Sequence, residues 1–121
     1  YNENYYQDFK KNCAEYFFLP HRGEERGVGG IFFDHHNTND WNNDFSFVKD
    51  VGISFLKVVP KIINKRKNMK WTKLEKNKQL LKRGRYVEFN LLWDRGPQFG
   101  IKTGGNTDAI LMSMPPDARW E

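Results

Sequence analysis

The chain is poor in the residues that most readily announce a chemistry. It has one cysteine, Cys13, in 121 residues, so an internal disulfide is excluded, and the usage fits a reducing compartment. No apolar run approaches the roughly 20 residues that a bilayer-spanning helix requires. Its three histidines occur without a CxxC, HExxH or carboxylate–His pattern that would complete a zinc site. Ser46, Ser54 and Ser113 lack a GxSxG setting, which leaves no nucleophile elbow. Gly27-Val28-Gly29-Gly30 precedes an apolar run instead of following a strand, the wrong order for a dinucleotide or phosphate cradle. Repeats and low-complexity segments are missing as well.

Aromatic residues, by contrast, are plentiful. They make up 16% of the chain, with ten Phe and four Trp, which argues against disorder and for one modest packed unit. The formal charge is +5, from 20 basic and 15 acidic residues, a surplus that suits an anionic partner. The basic run Lys61–Lys82 is interleaved with Glu75 and accompanies no RNP-like or helix–turn–helix pattern. It reads as a solvated face, and nucleic acid is not expected as a partner.

Tyr5, Phe9, Cys13 and Tyr16 or Phe17 recur at helical spacing, predicting an amphipathic helix that Pro20 ends. His21–Gly27 reads as a charged loop. Val28–Asp34, with GGIFF at its heart, predicts a buried strand, and His35–Asn43 a polar connector carrying surface histidines. From Phe45, apolar residues at Val48, Val51, Phe55, Val58 and Ile62 mark one helix face, with a kink or break at Pro60. Thr72-Lys73-Leu74-Glu75 is a capping box opening another helix, which Gly84 suits as a stop. Tyr86–Trp93 alternates like a strand, Asp94–Pro97 reads as a turn, and Phe99–Thr103 as the returning strand of a hairpin. Ile110–Met114 is too short to assign. Together these elements predict an α+β fold with an antiparallel sheet flanked by helices.

The arginines carry the most chemistry. Arg22 and Arg26 lie four apart in a glycine-containing loop, and Arg83, Arg85 and Arg95 bracket the predicted hairpin. A guanidinium grips carboxylates at two points, and glycine lets backbone N–H groups approach an anion. The competing reading pairs these arginines with Glu24, Glu25, Glu88 and Asp94 as ordinary ion pairs.

Three long segments tip that balance: YYQDFKKNCAEYFFLPHRGEERGVGGIFFD, KRGRYVEFNLLWDRG and FGIKTGGNTDAILMSMPPDARWE. They resemble, in order and across nearly the whole chain, the C-terminal half of oxygen-dependent coproporphyrinogen III oxidases. Only the connectors around His35–Asn43 and Asn64–Asn77 look divergent. The resemblance implies that residues 1–121 are the C-terminal portion of a single domain, incomplete by itself. It also implies a homodimer, and a reaction in which molecular oxygen converts two propionates of coproporphyrinogen III to vinyl groups, giving protoporphyrinogen IX in haem biosynthesis. No metal or organic cofactor is implied, only oxygen as co-substrate.

Residue by residue, the resemblance implies substrate contacts at Arg22, Arg26, Gly104, Gly105 and Asn106. Where many relatives carry Gly-Gly-Arg, this chain has Gly-Gly-Asn, so the guanidinium is replaced by a neutral amide, with Lys102 as a candidate compensating cation. It implies dimer contacts at His21 and along Tyr86, Val87, Glu88, Phe89, Asn90, Leu91, Leu92 and Trp93. His21 is also the one metal-ligand candidate. The family's catalytic residues would lie upstream of Tyr1, so the 121 residues alone are expected to be inactive. The alternative is a pure assembly module without substrate contact. Relatives occupy cytosol, mitochondrion and plastid, and the cytosol is the expected compartment here.

Overall fold

A computed structural model describes residues 1–121. The first helix, α1 (Tyr5–Tyr16), forms where the sequence period places it and buries Phe9 and Cys13 on its inner face. The chain then makes a minimal antiparallel pair, β1 (Phe18–Leu19) with β2 (Glu24–Glu25), in the register Phe18↔Glu25 and Leu19↔Glu24. Gly23, at φ +65°, turns the chain between them in a conformation that L side chains rarely adopt. The α+β class therefore holds, with β1–β2 as its two-stranded antiparallel sheet.

The predicted strand at Val28–Asp34 does not form. A strand needs a neighbour for its ladder, and this segment's backbone contact outside itself is Phe32 N–H to the Phe9 carbonyl at 3.0 Å. Its side chains are used all the same. Phe33 joins Tyr5, Phe9 and Phe47 in an aromatic cluster, and Phe32 stacks on Tyr16 at 4.4 Å.

The long α2 (Trp41–Arg66) starts at Asp40, whose carboxylate accepts the Asn43 N–H at 3.1 Å. It buries Asp44 and Phe47 in its first two turns, and past Phe47 no residue of α2 is fully buried. Pro60 neither ends the helix nor breaks it. The carbonyl of Leu56, which loses its partner N–H there, lies on an exposed stretch where water can take its place.

The capping box forms as its sequence predicts at the head of α3 (Lys73–Leu92). Thr72 Oγ1 accepts the Glu75 N–H at 3.2 Å, and Glu75 accepts the Thr72 N–H at 2.7 Å. Yet α3 runs through both Gly84 and the predicted strand Tyr86–Trp93. Its buried face is Leu80, Gly84, Arg85, Glu88 and Phe89, a helical series in which polar residues stand where an apolar period would be sought. Gly84 is not a stop but a seat: the C-terminal tail crosses it, and an added Cβ would collide with the Arg119 carbonyl oxygen. The predicted hairpin is likewise replaced by α4 (Arg95–Lys102), capped by Asp94, and α5 (Thr107–Leu111), capped by Asn106. The turn chemistry of Asp94–Pro97 starts a helix because the Asp94 carboxylate accepts the Gly96 N–H at 3.3 Å.

Candidate functional site: the Arg26 pocket and the Glu88 cluster

Glu88 is the hub of the polar interior. It projects from α3 with its side chain 9% exposed and takes three donor side chains from two separate segments, the β1–β2 turn and the C-terminal tail. Arg22 grips it two-point, Nε to Oε2 at 3.0 Å and Nη2 to Oε1 at 2.6 Å. His21 Nε2 lies 2.7 Å from Oε2, and Trp120 Nε1 donates to Oε1 at 2.8 Å. These donors, Arg22 foremost with His21 and Trp120 adding to it, outweigh the opposing effect of burial and hold the carboxyl down to about 2, far below its usual value. Arg85, also buried, reaches Glu24 through Nε at 2.6 Å and lies 3.7 Å from Glu88, while Lys82 joins Glu24 at 3.2 Å. Hydrogen bonds from Arg85 and then Lys82 hold Glu24 below the ordinary carboxylate range.

Arg22 and Arg26, paired by the sequence, have different surroundings. Arg22 is committed to Glu88, as the ion-pair alternative has it. Arg26 makes no salt bridge. Its guanidinium lies over the rings of Phe17 at 4.2 Å, Tyr86 at 5.0 Å and Phe89 at 5.3 Å. Burial lowers its pKa, yet an arginine stays cationic in proteins. It lines an open pocket of about 460 Å³ together with Phe17, Lys82, Arg83, Tyr86 and the Gly27–Gly29 backbone. Arg83 stacks on the Tyr86 ring at 4.5 Å. Glu25 is the one acidic residue in the lining. A cation desolvated on aromatic faces and lacking a carboxylate is poised for an external anion.

The other predicted substrate contacts lie elsewhere, in the α4–α5 turn, and the structure does not bring them to the Arg26 pocket. Gly104, at φ +69°, donates its N–H to the Ile101 carbonyl at 3.3 Å, and Gly105 donates to the Gly100 carbonyl at 2.9 Å. The Asn106 side-chain oxygen Oδ1 accepts from Asp108 N–H at 2.9 Å and Ala109 N–H at 3.3 Å. Both glycine amides and that oxygen are thus committed within the turn, and the NH₂ of the exposed Asn106 side chain is the donor left over. Lys102 sits exposed in the last turn of α4.

Of the residues assigned to dimer contacts, Glu88, Phe89 and Asn90 are buried within this chain. Tyr86 and Val87 are half-buried, while Leu91, Leu92 and Trp93 are exposed at the end of α3. His21 holds this end down. The Trp93 indole N–H donates to His21 Nδ1 at 3.1 Å, which puts the ring's proton on Nε2, where it donates to Glu88. Both nitrogens of this metal-ligand candidate are therefore engaged. His36 is a correction: it is not a surface histidine. Its side chain is 12% exposed, edged by Tyr5, Phe9, Phe33 and Phe47 and 3.3 Å from Asp44. Trp120 is a site residue that carries no signal in the sequence, because nothing local links it to a glutamate 32 residues away.

The chain matches the coproporphyrinogen III oxidase family over residues 1–121. It is 54% identical to the oxygen-dependent coproporphyrinogen-III oxidase of Rickettsia bellii over 120 residues, which is 99% of this chain and 43% of that relative. The enzymes of that name from Rickettsia akari and Rickettsia rickettsii are 53% and 52% identical over the same spans. The chain thus covers less than half the length of these curated relatives. On a match that runs from its first residue to its last, the chain belongs to the coproporphyrinogen III oxidase family.

Proposed function

We propose that this chain supplies the propionate-gripping wall of an oxygen-dependent coproporphyrinogen III oxidase. The observation that carries the proposal is Arg26, a partly buried guanidinium held on three aromatic rings with no carboxylate of its own. The reaction turns each of two propionates into a vinyl group. In each round the side chain loses carbon dioxide and a hydride equivalent; oxygen takes the two electrons and, with one further proton, leaves as hydrogen peroxide. The acid–base chemistry belongs to residues outside these 121. What Arg26 does is fix one carboxylate so that the reacting side chain keeps its orientation, with Arg83 and Lys82 supplying the surrounding positive potential. Oxygen is the sole co-substrate in this reading, and no cofactor is invoked.

In the full-length family polypeptide carrying these residues, Arg26→Ala is expected to raise KM for coproporphyrinogen III by about 10-fold or more, the loss of a charge-assisted contact. The fold should stay cooperative. Unchanged KM in a folded variant, or activity lost only through unfolding, would defeat the assignment.

The assembly reading has an observation of its own. Leu92, Trp93, Phe99 and Ile101 are 54%, 44%, 70% and 54% exposed around the α3–α4 junction. We propose that this junction contributes to a homodimer, with Leu91, Leu92 and Trp93 as its contacts in place of the buried Glu88, Phe89 and Asn90. Light scattering of Leu92→Asp in the same polypeptide tests it, and an unshifted dimer mass would reject it.

A further inference from the structure

We propose that Glu88 and Trp120 are positioning residues for the Arg26 pocket: the C-terminal tail fixes Glu88, and Glu88 fixes the loop that delivers Arg26. The inference rests on the reading of Arg26 as the anion contact.

The β1–β2 pair has two residues per strand, too few to hold its own shape in water. Its place on α3 is set at two carboxylates instead. At one, Glu88 takes Arg22 and His21 from the turn. At the other, Glu24 of β2 takes Arg85 and Lys82 from α3. Arg26 follows β2 directly, with its N–H on the Phe17 carbonyl at 3.0 Å. The ring beside it, Tyr86, lies on α3 next to Arg85 and two residues before Glu88. The register of the turn against α3 therefore decides whether the guanidinium meets the Tyr86 face.

A two-point guanidinium grip requires both carboxylate oxygens in the plane of the fork. Trp120 helps set that plane, since its N–H takes Oε1, the oxygen that also receives Arg22 Nη2. The tail is brought there by backbone contacts. Arg119 N–H donates to the Leu80 carbonyl at 3.1 Å, and the Arg119 carbonyl rests on Gly84 at a spot only a glycine leaves open. Arg119 also donates to the Asn77 side chain.

The test uses the full-length family polypeptide and two variants, with Arg26→Ala as reference. Trp120→Phe keeps the aromatic bulk and removes only the donor. Glu88→Gln keeps an acceptor oxygen for Trp120 but turns an NH₂ toward the Arg22 and His21 donors. The readouts are KM and kcat for coproporphyrinogen III, and coproporphyrin III binding by fluorescence anisotropy. Trp120→Phe should raise KM about 3- to 10-fold, the weight of one hydrogen bond, with kcat within about twofold. Glu88→Gln should raise it further, and coproporphyrin III affinity should fall in parallel. Should Glu88→Gln fail to fold, Trp120→Phe decides alone. Wild-type binding by Trp120→Phe beside lost binding by Arg26→Ala would overturn the positioning role and leave the Arg26 assignment standing. A fall in kcat at unchanged KM would also overturn it. Wild-type binding by Arg26→Ala would remove both.

Discussion

Helices α2 and α3 are both long, amphipathic and capped, and they meet opposite fates. Helix α3 buries six residues and gathers the turn, the tail and α4 around it. Helix α2 buries two, both within its first two turns, and leaves Phe55, Val58, Ile62 and Ile63 between 51% and 62% exposed. The whole chain exposes 9869 Å², whereas a compact monomer of its mass would expose about 6,800 Å². An apolar period thus forms a helix here without guaranteeing what covers it. A packed face needs neighbours, and α3 has them because charged partners lock them in place.

Three measurements on this chain put the contrast between α2 and α3 at risk. Phe89, 2% exposed beneath Phe17 and Tyr16, is the keystone of the packed half, and Phe89→Ala is expected to cost about 3–5 kcal/mol in denaturant unfolding. A cost below about 1 kcal/mol would mean that this half is no better packed than α2.

The next effect is pH dependence. Glu88 is depressed from 4.5 to about 2, so its contribution to stability is fully present above its unfolded value and is lost as pH falls from 4.5 toward 2. Tm should drop across that window, and Glu88→Gln should flatten the drop; equal slopes for the two proteins would show that the cluster does not form in solution. The smallest effect is the most diagnostic for α2. Ile62→Lys should change stability by less than about 0.5 kcal/mol, as at an open surface. A loss of about 2 kcal/mol would place the distal half of α2 against something.

Where the sequence speaks through local chemistry, it is legible. The spacing of Tyr5, Phe9 and Cys13, the Thr72–Glu75 box and the 45–62 apolar period all name real helices. It misleads where an interior is polar or a partner is distant. Val87, Phe89, Leu91 and Trp93 alternate by accident of composition, while the actual buried period runs through Gly84, Arg85 and Glu88, which no hydrophobic pattern flags. Gly84 looks like punctuation because the carbonyl that requires it comes from Arg119, 35 positions on. GGIFF has strand composition but no ladder partner in these residues. At the candidate site, the loop arginines were identifiable by type, but only three dimensions separate the engaged Arg22 from the unpaired Arg26.

The hydrogen bonds of the diglycine turn before α5 decide where charge can sit at that corner. With both its amide hydrogens tied back to α4 carbonyls and Asn106 offering an uncharged NH₂, that corner keeps no glycine N–H for an anion, and the positive charge beside it is that of Lys102 at the end of α4.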